Sequence, residues 1–426
     1  MSAARPPSSV DVAIVGAGAA GIAAARVLAG ASLDVVVLEA RDRIGGRAHT
    51  IDMNGTGLDM GCGWLHSADE NLLAGMAEAQ GFTVDRTPPP WESQAFNHEM
   101  SPAEQADFRA AFAAFEERVA EAAAAGREGP ASTLFEPGGR WNPRIDAISG
   151  ALNGARFAEV SIRDYDAYRD TGVNWRVTEG YGRMIAQLGA GLPVFPACPV
   201  ACIDRTGPML KLLTARGTVE ARAVIVTVPT DLIARETLRF DPPLPALVEA
   251  AAGVPLGLAS KLHMAVEGAD DFPKDSQLWG RSDTPETGGY HLRPFGRAMI
   301  EGWFGGDIAR ALEAEGEAAF FAFASDELVH LLGSGMRRRL APVAASMWGA
   351  EPWSMGAYSH ALPGHADDRA RLGEAVENRL FFAGEATSPD FYGTAHGAWL
   401  EGERAARQAL AALGLDPGRG PGDDEA

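Results

Sequence analysis

The chain opens with VDVAIVGAGAAGIAAARVLAGASLDVVVLEA, residues 10–40, and this stretch decides the fold. Its two apolar runs, joined by a glycine turn and an alanine-rich segment, predict a strand, a helix and a second strand, which form a βαβ unit. Gly16, Gly18 and Gly21 give the turn a G-x-G-x-x-G spacing. The first glycine permits the turn, the second lets backbone amides approach a diphosphate, and the third lets helix and strand pack closely. The stretch therefore predicts a Rossmann-type dinucleotide site at a helix N-terminus, where the helix dipole favours negative charge.

An acidic residue and a basic segment follow the second strand. Glu39 lies about twenty residues beyond the glycines, where a carboxylate accepts hydrogen bonds from both ribose hydroxyls and repels a 2′-phosphate. This favours FAD or NAD over NADP. The next residues, EARDRIGGRAHT, place Arg41, Gly45, Gly46 and Arg47 where backbone amides and guanidinium groups can meet a diphosphate and a flavin. Because this segment follows Glu39 directly, it favours FAD over NAD.

The rest of the chain predicts an α/β fold with two domains, each built from discontinuous segments. Strand patterns return in VFPACPVACID, MLKLLTARG, ARAVIVTVP and RLFFAGE, and TAHGAWLEGERAARQALAAL predicts a closing helix. Alanine-rich helical stretches and Gly/Pro loops occupy the segments between them. We predict a Rossmann-type FAD-binding domain from residues 8–87, 190–255 and 348–414, a mixed α+β substrate domain from 88–189 and 256–347, and a disordered tail at 415–426.

Composition excludes several classes of protein. Hydrophobic residues at 46% and charged residues at 22% are typical of a folded globular protein. The formal net charge of −20, from 57 acidic and 37 basic residues, disfavours nucleic acid and anionic membranes as partners. Cys62, Cys198 and Cys202 fit neither a disulfide framework nor a zinc pattern. With no signal peptide or membrane-length apolar run, we expect a soluble, cytoplasmic protein without a metal, and its oligomeric state stays open.

Four blocks, in order, resemble the flavin amine oxidase family, which includes monoamine oxidases, polyamine oxidases and flavin-dependent histone demethylases. The blocks are residues 12–63, PVACID, AVIVTVP and FFAGEATSPDFYGTAHGAWLEGERAA. The resemblance implies noncovalent FAD, because Ala357 occupies the place where mammalian monoamine oxidases carry the cysteine that bonds the flavin. It also implies a flavin-facing loop at Asp59, Gly61 and Trp64, an adenine contact at the backbone of Val200, and further cofactor contacts at Trp348, Gly384, Glu385, Thr394 and Ala395.

Lys261 is the first candidate for the reacting end of the site. In LGLASKLHMAVEG, strand alternation places it on a face of small residues, which leaves room for a ring. On sequence alone a strand lysine is more often a solvent-facing residue. The resemblance, however, implies that Lys261 is the family's lysine, which holds a water against flavin N5 and assists reoxidation by dioxygen.

Other candidates surround the predicted amine slot. The resemblance implies that Tyr358 forms one wall, and that Thr394 stands where monoamine oxidases carry a second tyrosine. His66, in GCGWLHSADENL, resembles the histidine of a Trp-Ile/Leu-His segment in polyamine oxidases, where an imidazole can bond a second amine. These features move the expected substrate from an aromatic monoamine toward a polyamine-like amine. Further candidates for the cavity wall are His263, His396 and Trp175.

We therefore expect FAD-dependent oxidation of an amine to an imine, which hydrolyses to an aldehyde or ketone, with dioxygen reduced to hydrogen peroxide. A catalytic triad or metal cluster is not required, because the cofactor carries the chemistry. An L-amino-acid oxidase or flavin desaturase on the same scaffold stays open, with Arg163, Arg169 or Arg176 as the carboxylate clamp of the former. A noncatalytic FAD-binding protein is the alternative of another class, and Lys261 and Tyr358 argue against it.

Overall fold

The computed structural model describes residues 5–91 and 94–416, so the predicted tail lies, from residue 417 onward, outside the described residues. The strands are β1 (Ser9–Val15), β2 (Val35–Leu38), β3 (Thr50–Met53), β4 (Thr56–Asp59), β5 (Val84–Asp85), β6 (Arg176–Val177), β7 (Val194–Phe195), β8 (Val200–Asp204), β9 (Leu210–Thr214), β10 (Gly217–Val226), β11 (Arg239–Asp241), β12 (Ala259–Val266), β13 (Ser276–Trp279), β14 (Gly289–Leu292), β15 (Met299–Gly305), β16 (Leu340–Ala345) and β17 (Leu380–Phe382). The α-helices are α1 (Ala19–Leu28), α2 (Leu72–Ala79), α3 (Pro102–Ala124), α4 (Asn142–Asn153), α5 (Ile162–Ala167), α6 (Tyr181–Leu188), α7 (Thr230–Ala234), α8 (Pro245–Gly253), α9 (Asp307–Glu315), α10 (Glu317–Leu332), α11 (Asp368–Leu372) and α12 (Ala395–Ala412).

The first sheet contains the predicted βαβ unit at its centre. Strand β1 pairs in parallel with β2 and β10, and the parallel set continues through β7 on one side and β17 on the other. Strands β9, β8 and β11 extend the sheet beyond the first half of β10. Val12 and Ile14 face one hydrophobic core, whereas Ala13 and Val15 face another. The sheet is therefore buried on both faces, which explains why its strands are continuous apolar runs.

Helices α1 and α12 cover one face of this sheet at close range. A Cβ atom on Gly402 would lie 2.1 Å from the carbonyl oxygen of Ala20, so the contact requires a residue without a side chain. Ala24, Ala405 and Ala409 fill the same interface and are buried. Small residues thus bring the two helices together and fix the position of the N-terminus of α12 relative to α1.

The second sheet is antiparallel and has the order β13-β14-β15-β12-β16. Leu262, Met264 and Val266 of β12 face a core shared with α9 and α10, as the alternation predicts. Lys261 points to the opposite face. The second sheet therefore places Lys261 on the face that looks toward the carboxyl ends of the parallel strands in the first sheet.

A layer of helices, α3 to α5, accompanies the second sheet. Helix α3 begins at a capping box in which Ser101 and Glu104 bond each other's backbone amides, and Phe115 anchors its buried face. The strands of the first and second sheets fall inside the segments predicted for the corresponding domain, whereas the small β5–β6 sheet pairs one strand from each predicted domain. The domain boundaries themselves stay a prediction.

Candidate active site

A cavity of ≈ 230 Å³ is lined by residues from both sheets. Because the carboxyl ends of parallel strands meet at one edge, the residues that follow β1, β2 and β17 line one end of it. The predicted site residues that line the cavity are Gly16, Gly18, Glu39, Arg41, Gly45, Gly46, Arg47, Gly61, Trp64, His66, Val200, Lys261, Trp348, Tyr358, Gly384, Glu385, Thr394 and Ala395. The cavity thus joins the predicted dinucleotide end to the predicted reacting end.

The glycine turn has the geometry that the spacing predicts. Gly16 has φ +104°, and a Cβ atom on Gly21 would lie 1.9 Å from the carbonyl oxygen of Gly16. Gly21 therefore does not line the cavity but lets α1 pack against the turn. At Gly46 a Cβ atom would lie 3.1 Å from the Cα atom of Gly18. The two glycine segments approach backbone to backbone, which leaves amide-lined space beside the helix N-terminus.

Glu39 is 2% exposed, and backbone amides hold both of its carboxylate oxygens. The Ala17 amide donates to Oε2 at 2.7 Å and the Arg41 amide donates to Oε1 at 2.8 Å. The Arg41 guanidinium lies 3.7 Å from the carboxylate and also bonds Ser354 at 2.7 Å. A carboxylate fixed in this way suits the hydroxyls of a ribose.

Glu385 is the second buried carboxylate of the cavity. It pairs with Arg47 at 2.9 Å, accepts from the Ser359 hydroxyl at 2.6 Å and accepts from the Gly393 amide at 2.7 Å. Burial raises the pKa of Glu385, but the charge of Arg47 and these hydrogen bonds outweigh it, so the pKa is lowered. The pair therefore stays ionised and ties the segment after β2 to the segment after β17.

The N-terminus of α12 lies at the cavity with its cap in place. Thr394 is the N-cap, and its hydroxyl accepts from the Gly397 amide at 3.0 Å while donating to the Phe391 carbonyl at 2.6 Å. Because both bonds occupy the hydroxyl, Thr394 shapes the helix end rather than presenting a free polar group. Ala395 follows it and offers a backbone amide at the positive end of the helix.

Lys261 forms part of the cavity wall and is 7% exposed. Its Nζ lies 3.0 Å from the carboxylate of Glu301 and 4.7 Å from the ring centre of Trp303. Neither partner was identified from the sequence, although the alternation of MIEGWFG would place Glu301 and Trp303 on one face of a strand. Antiparallel pairing of β12 with β15 brings both beside the lysine.

Two aromatic side chains complete the wall near Lys261. The Tyr358 hydroxyl donates to the Ala151 carbonyl of α4, and burial raises the pKa of this tyrosine, so it stays neutral. Trp348 donates from its indole nitrogen to the Met60 carbonyl at 2.9 Å. Both rings are thus fixed by backbone acceptors and present apolar faces to the cavity.

His66 lies at the edge of an aromatic cluster. Its ring is 6.1 Å from that of Trp91, which contacts Trp64 edge-on at 4.8 Å. His66 Nδ1 lies 2.7 Å from Asn174 Oδ1. Burial lowers the pKa of His66 more than this hydrogen bond raises it, so the imidazole is neutral at pH 7.

The further cavity candidates lie elsewhere. His263 faces a smaller adjoining cavity, the His396 ring packs against Phe391 at 4.7 Å, and the Trp175 backbone pairs with Leu65. The candidate carboxylate clamps already have acidic partners: Arg163 bonds Asp367, Arg169 bonds Glu70, and Arg176, which lies over the ring of Trp64 and lines the smaller cavity, bonds Asp275. The arginines of the cavity wall are Arg41 and Arg47, at its dinucleotide end, so the structure gives the amino-acid oxidase alternative no support.

Residues 5–91 and 94–416 contain neither a metal-binding cluster nor a membrane-spanning helix. In this part of the chain, no cluster of three or more His, Cys, Asp or Glu side chains is arranged to hold a metal ion. Nor does any helix there have the length and apolar character needed to cross a membrane. The cytoplasmic location stays a prediction.

Comparison with known proteins identifies the family. Residues 19–146 and 133–410 match the family model for flavin containing amine oxidoreductases. The chain belongs to this family. Polyamine oxidase 4 of Oryza sativa subsp. japonica is 30% identical to it, over 95% of this chain and 88% of its own length. Lysine-specific histone demethylase 1 homolog 2 of Arabidopsis thaliana is 27% identical, over 94% of this chain and 58% of its own length.

A solved structure of putrescine oxidase bound to putrescine has the same fold as this amine oxidase. It superposes with a TM-score of 0.75, covers 95% of this chain and 100% of its own, and is 21% identical. Family membership and fold confirm the predicted flavin amine oxidase, its FAD cofactor and its α/β class. The roles of individual residues stay predictions.

The residues of this amine oxidase fit FAD. Gly384 has φ +144° and nothing within 4 Å of an added Cβ atom, so it borders open space at the end of β17. Gly18 and Gly46 leave the backbone accessible, and Glu39 supplies the ribose acceptor. Ala357 also lines the cavity, where it offers no thiol, and this supports noncovalent binding.

Two neighbouring glycines give a testable contrast in this amine oxidase. A Cβ atom on Gly61 would lie 1.7 Å from the backbone oxygen of Arg47, whereas one on Gly63 would lie 2.9 Å from Lys261 Nζ, the end of a flexible side chain. We expect Gly61→Ala to destabilise the protein by about 1–3 kcal/mol and to lose FAD, because the backbone cannot move freely. Gly63→Ala should keep both the stability of the protein and its bound FAD. Thermal melting and the ratio of flavin to protein absorbance measure the difference, and equal losses in the two variants would contradict it.

Proposed function

We propose that this chain oxidises a diamine or polyamine at a carbon next to nitrogen, with dioxygen as the electron acceptor. The observation that carries the proposal is the continuous cavity that joins Glu39 at one end to Lys261 and Tyr358 at the other. The relatives named polyamine oxidases, and the putrescine oxidase fold, support the substrate class. The overall reaction converts amine and dioxygen to imine and hydrogen peroxide, and water then hydrolyses the imine to a carbonyl compound and an amine or ammonia.

The apolar walls bind and orient the amine. When bound, FAD supplies a two-electron acceptor for the C–H bond next to nitrogen. Tyr358, Trp303 and Trp348 line the reacting end, exclude water and favour an uncharged amine over its ammonium form. The neutral form is the reactive one, since its lone pair assists the loss of the neighbouring hydrogen. The chain's contribution at this point is therefore position and desolvation.

His66 is placed to hold the second nitrogen of such a substrate. When Asn174 Oδ1 accepts from Nδ1–H, the imidazole Nε2 is left as a hydrogen-bond acceptor. A neutral imidazole with a free acceptor suits an ammonium donor. The formal charge of −20 also draws cationic amines toward the protein.

Lys261 acts on the dioxygen side of the cycle. Its Nζ carries donor hydrogens into the cavity wall, where they can hold a water molecule or supply a proton as dioxygen is reduced. The ring of Trp303 and the carboxylate of Glu301 stabilise the positive charge. A cation fixed beside the reacting end also stabilises negative charge that develops on oxygen.

Anaerobic mixing with monoamines, diamines, polyamines and amino acids tests the proposal. We expect diamines or polyamines to bleach the flavin absorbance fastest, and admission of dioxygen to restore it with release of one hydrogen peroxide per amine. If only amino acids bleach the flavin rapidly, the substrate is an amino acid and the proposed diamine or polyamine class is wrong. Bleaching that dioxygen does not reverse would remove dioxygen as the acceptor.

His66→Ala separates substrates by their second nitrogen. We expect KM for a diamine to rise about tenfold, the loss of about one hydrogen bond to a charged group, while KM for a monoamine of equal length changes less than about threefold. Steady-state peroxide assays with putrescine and butylamine measure both values. An equal rise for the two amines would show that His66 supports the wall and does not bind the second nitrogen.

A further inference from the structure

A small polar cavity of ≈ 30 Å³ lies behind Lys261. Lys261, Gly63 and Trp64 line both cavities, so the lysine stands in the wall between them. The small cavity is large enough for a water molecule, which needs about 10–15 Å³. A flexible four-carbon side chain in such a wall can turn its ammonium group toward either space. Neighbouring groups must therefore fix the orientation of the Lys261 ammonium group.

Charged and titratable groups face Lys261 from several elements. They are Asp59 on β4, Cys62 and His66 in the segment after it, His263 on β12 and Glu301 on β15, together with Arg176 on β6 and Arg297 before β15, which line the small cavity with the lysine; His291 on β14 interacts with Glu301. Asp59 and Glu301 are the carboxylates of this group, and each lies close enough to interact with the ammonium charge. The two carboxylates differ in their other hydrogen-bond and ion-pair partners.

Asp59 has other partners. It accepts from the Thr50 hydroxyl at 2.5 Å, from the Tyr181 amide at 2.9 Å and from the Gly182 amide at 3.1 Å. Burial raises the pKa of Asp59 despite Lys261 and these donors. Asp59 therefore connects β4 to α6, and its carboxylate oxygens already accept hydrogen bonds from these three donors.

The carboxylate of Glu301 forms an ion pair with Lys261, and this pair keeps it ionised. Its Oε1 lies 3.0 Å from Lys261 Nζ, and the two side chains are 14% and 9% exposed. Burial raises the pKa of Glu301, but Lys261, followed by His263 and His291, outweighs it and holds the pKa at about 2. Antiparallel pairing sets Glu301 opposite His263 and Trp303 opposite Lys261, so both partners of the ammonium project from β15.

We propose that Glu301 is a positioning residue for Lys261, whose carboxylate fixes the ammonium group in the wall between the two cavities. The ammonium has three donor hydrogens. Glu301 accepts one on its side and the Trp303 ring takes up charge at 4.7 Å, and because Lys261 also lines the large cavity, a further donor is left for that side. The inference deepens the proposed function, since it rests on the role given there to Lys261.

Glu301→Gln tests the proposal by kinetics. We expect reoxidation of the reduced enzyme by dioxygen to slow about 10- to 100-fold, because a charge-assisted hydrogen bond is replaced by a neutral one. Glu301→Asp keeps the charge but shortens the reach, so the reoxidation rate should fall in this variant as well. Anaerobic reduction by amine should change less than about twofold.

A double-mutant cycle separates positioning from a merely structural effect. In a Lys261→Met background, Glu301→Gln should change the reoxidation rate less than about twofold, because there is no ammonium left to position. Additive losses would overturn the proposal. If Lys261→Met itself leaves reoxidation unchanged, the proposed function of the lysine fails and the positioning proposal fails with it. If Lys261→Met slows reoxidation and Glu301→Gln does not, only the positioning proposal fails.

Nitrogen NMR of the lysine side chains gives a readout that does not depend on turnover. The chain has three lysines, Lys211, Lys261 and Lys274, so a holoenzyme labelled at lysine Nζ gives three signals. The Lys261 signal is the one absent from Lys261→Met. We expect Glu301→Gln to shift it and to speed its proton exchange with solvent about tenfold or more.

The exposed pair of Lys211 and Glu220 provides the control, with 3.9 Å between its charged atoms. Glu220→Gln removes a carboxylate beside a different lysine and should leave the Lys261 signal unchanged. An unchanged Lys261 signal in Glu301→Gln, under conditions where the protein melts normally and retains FAD, would overturn the proposal. If Glu301→Gln does not fold, Glu301→Asp in the same spectrum decides the matter, since a signal identical to wild type would also overturn it.

Discussion

Asp164→Asn is expected to lower the free energy of unfolding by about 3–5 kcal/mol, because it leaves a buried guanidinium without its counter-charge. Arg369 donates to Asp164 from Nε at 2.5 Å and from Nη2 at 2.9 Å, and the side chains are 3% and 2% exposed. The arginine also donates to the Ser359 hydroxyl at 2.8 Å, and Ser359 in turn donates to Glu385 at 2.6 Å. The loss should therefore extend to the cavity and weaken FAD binding. Urea unfolding with and without FAD measures both effects.

The neighbouring surface pair is the matched control. Asp367 bonds Arg163 at 2.7 Å, but its side chain is 70% exposed and that of Arg163 is 37% exposed. Asp367→Asn should cost at most about 1 kcal/mol, since water screens the pair. Equal destabilisation by the two variants would contradict the role given to burial. The double variant Asp164→Leu with Arg369→Met should recover part of the loss, because it removes both charges.

The dinucleotide end could be predicted from sequence because its signals are local. The turn from Gly16 to Gly21, the strands on either side and Glu39 lie within one βαβ unit, so chain order alone brings them together. The prediction that Lys261 faces away from the apolar core likewise needed only the period of one strand. Each of these conclusions survives in the structure because no distant segment decides it.

The surroundings of Lys261 could not be predicted in the same way. Glu301 and Trp303 reach it through the register of β12 with β15, and a shift of one residue would turn both to the other face. The sequence contains the alternation of β15 but not the pairing. For the same reason His263 could be named as a cavity candidate, while the smaller cavity that it faces could not.

The candidate arginine clamps show a second limit. Arg163, Arg169 and Arg176 were equivalent in sequence, since any of them could bind a carboxylate. Their acidic partners come from distant parts of the chain, as when Arg176 bonds Asp275 at 2.8 Å. Ion pairing of this kind depends on tertiary contacts. Which arginines are free to meet a substrate is therefore a property of the folded protein.

Lys261→Met is expected to slow reoxidation of the reduced enzyme by dioxygen about 100-fold or more, which is the usual range for loss of a proton donor and fixed charge at a reacting centre. Methionine fills a similar volume, so Trp303 keeps its packing while the ammonium is lost. Removal of Lys261 also leaves Glu301 without its ion-pair partner, and some loss of thermal stability should accompany the change. Stopped-flow mixing of reduced enzyme with dioxygen measures the rate, and titration of apoprotein measures FAD affinity.

The two half-reactions divide the possible roles of Lys261. If the lysine serves only the dioxygen step, amine reduction of the flavin keeps its rate and FAD affinity changes less than about tenfold. Lys211→Met removes an exposed lysine with a 44% exposed side chain and should leave both half-reactions unchanged. Lys261→Arg keeps the charge in a larger, planar group and should recover part of the reoxidation rate. If Lys261→Met slows flavin reduction by the amine as well as reoxidation, the lysine is also needed for amine binding. The aromatic wall alone would then not suffice to orient the amine.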